Sequence, residues 1–108
     1  MIYHITSRET WNAAQKDGLY QGDTLASEGF IHCSGGEQVA RTANRYYPGK
    51  QGLVLLEIAP EKVKAEIRYE ALTGSEKFPH IYGPLNLEAV SRVMPFEPAP
   101  DGVFQFQE

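Results

Sequence analysis

Leu53-Val54-Leu55-Leu56-Glu57-Ile58 is the most apolar run in the chain. Its unbroken start marks an interior strand covered on both faces. Glu57 interrupts it, and a charge there is costly unless partnered or placed at the strand end. Glu57 therefore reads first as half of a structural pair with an arginine, and second as a cleft carboxylate. On the N-terminal side, Pro48-Gly49 stops a helix whose apolar face is Val39, Ala43 and Tyr46. Ser34 and Glu37 have capping-box spacing at its start. Phe30-Ile31-His32-Cys33-Ser34 precedes it as a strand. Residues 20–29 read as a loop with one helical turn capped by Asp23. An earlier helix carries Trp11, Ala14 and Leu19 on one stripe, with Gly18 as its stop and Thr6 (paired with Glu9) or Ser7 as its cap. Ile2 to Thr6 is the first strand.

On the C-terminal side, Pro60-Glu61-Lys62 is a turn or a first helical turn. Ala65 to Glu70 alternates, with Ala65, Ile67 and Tyr69 on one face. Phe78 to Leu85 is extended and bracketed by Pro79 and Pro84, which restrict their predecessors. Val90 to Phe96 is a strand whose Pro95 marks an edge, and Val103 to Phe106 reads as a last edge strand, open to pairing with a second copy. The expected architecture is α+β: about six short strands in a mixed or mostly antiparallel sheet, with two helices in the N-terminal half.

The 108 residues make a single domain, 1–108. At 42% apolar and 22% charged residues, disorder is disfavoured. Ten Lys and Arg against 14 Asp and Glu give a net charge of −4, which argues against broad nucleic-acid binding and leaves room for a local anion site. One cysteine, Cys33, excludes an intrachain disulfide and a cysteine-based zinc site. The four-residue apolar run is far short of a membrane span of about 20. Met1-Ile2-Tyr3-His4 does not resemble a signal peptide, so the expectation is a soluble cytoplasmic protein with no membrane partner.

All three histidines fall in expected strands. Strand parity puts His4 with Thr6, His32 with Ser34, and His80 with Tyr82. If these strands are neighbours, one polar cleft gathers them. The alternative is that each histidine is a hydrogen-bonded core residue. Ser34-Gly35-Gly36-Glu37 brings a glycine turn onto a helix start, where free N–H groups attract anions, although Ser34 and Glu37 reach those donors as caps. No histidine pair has metal-ligand spacing, so no metal is expected. Cys33 faces away from His32, and Ser34 has no nucleophile elbow. Glu70 and Glu88 lie at the polar margins of their segments. Trp11 and Tyr46-Tyr47 read as core.

Ile2-Tyr3-His4-Ile5-Thr6, Trp11, Gly29-Phe30-Ile31-His32-Cys33-Ser34, Asn44-Arg45, Leu53 to Ile58 and Phe78 to Leu85 together resemble the bacterial family called domain of unknown function 952, over residues 2–96. More distantly, the Tyr3-His4-Ile5-Thr6 strand followed by His32-Cys33-Ser34 resembles the opening of the ADP-ribosyltransferase fold. It is similar to the RNA 2′-phosphotransferases and to DNA-modifying ADP-ribosyltransferase toxins. That resemblance implies a split sheet with Leu53 to Ile58 central. It implies that His4, with Thr6 nearby, contacts a ribose of NAD, and that His32 and Ser34 shape the nicotinamide pocket. Where such folds place a catalytic glutamate this chain carries His80 and Tyr82, with Glu70 at the margin; these three are the catalytic candidates. The expected activity is binding of NAD or an NAD-derived nucleotide, with transfer or hydrolysis at the anomeric carbon. The alternative is a non-catalytic module binding a nucleotide or phosphate-bearing metabolite in the same cleft.

Overall fold

The computed structural model describes residues 1–108. In chain order the elements are β1 (Ile2–Ser7), α1 (Arg8–Asp17), β2 (Leu19–Tyr20), α2 (Leu25–Glu28), β3 (Ile31–His32), α3 (Val39–Tyr46), β4 (Leu53–Ile58), β5 (Glu66–Glu70), β6 (Phe78–Tyr82), β7 (Leu85–Asn86) and β8 (Val90–Phe96). Short 3-10 turns at Gly36–Gln38, Pro60–Lys62 and Leu87–Ala89 link them.

β4 is the centre of a three-stranded sheet, β1-β4-β8, with Tyr3 opposite Glu57 and Leu55 opposite Met94. Successive strand side chains point to opposite faces, and both faces of β4 are covered. Val54, Leu56 and Ile58 enter a core with Trp11, Tyr20, Ile31, Ile81 and Leu85. Leu53 and Leu55 enter a second core with Tyr3, Ile5, Val39, Ala43, Phe96 and Phe104. The unbroken apolar run is the signature of that double burial.

A second sheet has the order β3-β6-β5, and β2 pairs with β7. One bridge stitches the two larger sheets: Tyr3 N–H donates to Ser34 O at 2.8 Å and Ser34 N–H returns to Tyr3 O at 2.7 Å. Every strand pairing is antiparallel. The α+β class stands and the antiparallel alternative holds, while the single sheet of about six strands and the two-helix count are corrected to eight strands in three sheets and three α-helices. The extra elements are two- to four-residue pieces, too short to carry a period.

Ser7 caps α1, accepting from Thr10 N–H at 3.0 Å, and Gly18 closes it in the left-handed conformation at φ 82°. α2 starts after Thr24 without a side-chain cap, so Asp23 does not cap it; the Thr24 hydroxyl donates to Phe30 O. The turn before α3 is closed by Gln38, which accepts from Gly35 N–H at 2.8 Å, in place of the expected Ser34–Glu37 box. Tyr46 is 65% exposed, and Tyr47 packs on the core in its stead.

Val103 to Phe106 is not a strand. Its alternating aromatics do turn inward, Phe104 against Phe96 at 4.9 Å and Phe106 against Tyr3 at 5.1 Å. The backbone is held by a side chain instead of a neighbouring strand: Asn44 accepts from Phe104 N–H at 2.8 Å and donates to Phe104 O at 3.1 Å. Glu57 is structural, accepting from Arg92 at 3.0 Å, Ser91 at 2.9 Å and Tyr3 at 3.3 Å. No helix is long and apolar enough to cross a membrane.

Candidate functional site

The Tyr3–Ser34 bridge sets β1 beside the end of β3, and β3 pairs with β6 so that His32 lies directly opposite His80. α3 crosses nearby. Between these elements lies a cleft of about 810 Å³. It is lined by five of the seven residues expected from the sequence: His4, Thr6, His32, Ser34 and His80. Tyr82 and Glu70 do not line it. The expected cleft position of Tyr82 is thus corrected. Tyr82 and Glu70 stand behind His80, because β5 pairs with β6 on the side away from β3.

His4 is bound at both ring nitrogens. Nδ1 lies 2.5 Å from His32 O, and Nε2 lies 2.6 Å from the Tyr20 hydroxyl. A carbonyl only accepts, so Nδ1 carries the proton and Tyr20 donates to Nε2. The ring is a neutral strut, and its burial pushes its pKa down to about 4. This is the hydrogen-bonded core histidine that the sequence left as an alternative. Burial likewise raises the Tyr20 hydroxyl and the Cys33 thiol.

His80 is arranged differently. Its Nδ1 lies 3.0 Å from a Glu70 carboxylate oxygen, which also accepts from the Tyr82 hydroxyl at 2.5 Å. Those two donors, Tyr82 first, lower the Glu70 pKa, while the bond to Glu70 raises that of Tyr82. Phe30 stacks on the His80 ring at 4.3 Å and fixes its plane. In the neutral ring, Nδ1–H points at the carboxylate and Nε2 keeps its lone pair with no protein partner. A carboxylate-oriented imidazole beside a cleft is an arrangement suited to proton transfer.

His32 is more exposed, with Nε2 at 3.2 Å from Glu28 and its edge toward His80 at 5.4 Å. Thr6 and Ser34 are buried. Ser34 is tied by its backbone to Tyr3, and its hydroxyl lies 3.5 Å from Thr42.

Three cations line the cleft. Arg41 is tied to Glu76, with Nη1 at 3.0 Å and Nη2 at 2.5 Å. Arg45 lies over the Tyr46 ring at 5.4 Å and Lys50 over the Tyr47 ring at 6.0 Å, and neither pairs with a carboxylate. The sequence reading missed these two, along with Tyr20. For Arg45 the signal was present in α3: Val39 and Ala43 define its buried side, and Arg45 falls well away from it around the helix. No group of three or more histidine, cysteine, aspartate or glutamate side chains is placed to hold a metal ion.

Fold and cleft together define an antiparallel α+β protein with a polar, partly aromatic cleft. Residues 5–93 match the family described as "Protein of unknown function (DUF952)", and the chain belongs to that family. The crystal structure of protein CC0527 from Caulobacter crescentus is similar to it, at 39% sequence identity and a TM-score of 0.88, over 96% of this chain and 92% of that one. The solution NMR structure of the same protein has a TM-score of 0.78, with coverage of 96% and 90%. Among curated proteins, none matches the chain.

Proposed function

We propose that the cleft binds a phosphate-bearing nucleotide, NAD or an NAD-derived nucleotide being the ligand that the ADP-ribosyltransferase resemblance implies. The observation that carries this reading is the Glu70–His80 pair beside a cleft of about 810 Å³. That volume suits a ligand of this size, since small-molecule sites span about 300–1,000 Å³. The lining supplies aromatic faces, hydroxyls and unpaired cations for rings, ribose and phosphate.

The reaction in this reading is substitution at the anomeric ribose carbon. The bond to nicotinamide breaks, a bond from an acceptor hydroxyl or water forms, and His80 Nε2 takes the acceptor's proton. Glu70 holds the imidazole in the right tautomer and stabilises the imidazolium that results. Tyr82 completes the anchoring of Glu70. The oxocarbenium-like transition state places demands on positioning and on electrostatics, and the rigid stack of Phe30 on His80 serves the first.

A second reading is a binding module without turnover. His4, assigned by resemblance to the ribose, has both ring nitrogens engaged within the protein. Glu70 lies outside the cleft lining. Both features favour recognition over transfer.

Titration calorimetry with NAD and ADP-ribose, followed by detection of released nicotinamide, tests both readings. Binding with release that His80→Gln abolishes supports the enzyme. Binding without release supports the module. Absence of binding by either ligand overturns the nucleotide reading.

A further inference from the structure

We propose that Arg45 and Lys50 form an anion subsite at the lip of the cleft, which takes the phosphate or diphosphate group of the ligand. This rests on the reading of the cleft as a ligand site, and it adds which residues hold the charged part and where.

The ion-pair pattern carries the argument. Arg41, Arg68 and Arg92 each hold a carboxylate at 3.0 Å or less. The chain's other Lys and Arg side chains hold none, and of these only Arg45 and Lys50 line the cleft. Both line the same cleft, and each is steered there by a tyrosine that also lines it. An arginine in the last turn of α3 also offsets the helix dipole. Lys50 lies beyond the Pro48-Gly49 turn and has no such role. Nearby, Thr42 adds a hydroxyl from the same side of α3. A guanidinium and an ammonium with free donors suit phosphate oxygens, the first as a planar fork and the second as a point charge. The exposed Tyr46 ring beside them offers a face for a base or another flat group.

Calorimetry on the full chain with inorganic pyrophosphate and with ADP-ribose tests this, using Arg45→Ala, Lys50→Ala and Lys16→Ala, which lies outside the cleft lining. Both cations are exposed, so the variants are expected to fold, and circular dichroism verifies it. The expected result is that both probes bind wild type, that each cleft variant weakens both by about tenfold or more, and that Lys16→Ala changes neither. Binding of ADP-ribose at full affinity by Arg45→Ala and Lys50→Ala overturns the subsite and leaves the nucleotide reading intact. Pyrophosphate binding that the variants lose, with no ADP-ribose binding, supports the subsite and overturns the nucleotide reading. Absence of binding by both probes overturns the two together.

Discussion

Acidification tests the neutral strut at His4. Its ring donates from Nδ1 to His32 O and accepts at Nε2 from Tyr20, and its pKa falls from 6.5 to about 4. Protonation puts a second N–H on Nε2, facing a hydroxyl that must then turn its own proton away, inside a desolvated site. Between the two pKa values the unfolded chain binds the proton and the folded chain does not, so stability falls as pH falls. The contribution is whole above pH ~6.5 and exhausted below pH ~4. The full drop is at most about 3 kcal/mol, because the ring keeps some exposure, and about 2 kcal/mol of it is gone by pH 5. In a domain of this size that lowers the unfolding midpoint by roughly 8–16 °C between pH 7 and 5. Glu57, Glu66, Glu70 and Glu88, with pKa values below the usual 4.5, add their own losses only beneath that window. The assay is urea unfolding at half-unit steps from pH 7 to 5, for wild type and for His4→Asn, which keeps a donor near the Nδ1 position and does not titrate. Wild type is expected to lose stability more steeply by about 2 kcal/mol over that range. Parallel profiles for the two proteins, or an NMR titration of the His4 ring near pH 6.5, would refute the reasoning.

Other perturbations address the core, the tail and the Glu70 cluster. Leu56→Ala empties a site that is 0% exposed and is expected to cost about 2–5 kcal/mol in denaturant unfolding. Asn44→Ala leaves the buried Phe104 backbone N–H and C=O without partners; a cost of about 1–3 kcal/mol is expected. In that variant, amide exchange should rise at Phe104 more than at Leu55; equal protection at Phe104 in both proteins would contradict the anchoring role. Glu70→Gln weakens the hydrogen bond that raises the Tyr82 pKa and removes the negative charge that adds to it, so the Tyr82 phenol should ionise at lower pH, readable as tyrosinate absorbance against a Tyr82→Phe control. An unchanged Tyr82 titration would remove Glu70 as the cause.

By itself, the sequence determined the elements whose signals are local. The run from Leu53 to Ile58 specified a doubly buried strand, because no other arrangement hides successive apolar residues on both faces of a pleat. Gly18 bounded α1 at its end, and of the two caps the sequence offered, Thr6 with Glu9 and Ser7, the structure uses Ser7. Alternation marked β5, and parity put His32 with Ser34 and His80 with Tyr82. The family, too, was legible from separated motifs in order. What lay beyond local signals was decided by tertiary contacts. Val103 to Phe106 has the alternation of a strand, and only Asn44, about 60 residues earlier in sequence, decides that a side chain satisfies its backbone. His4 looks from sequence as available as His80; packing spends its ring nitrogens on Tyr20 and His32 O, while the β3-β6-β5 order leaves His80 Nε2 free and puts Glu70 behind it. Of the Tyr46-Tyr47 pair read as core, only Tyr47 packs there, because the helix ends between them and the chain turns. Hydrogen-bond partners and side-chain exposure depend on which strands become neighbours, and residue spacing along one chain does not encode that choice.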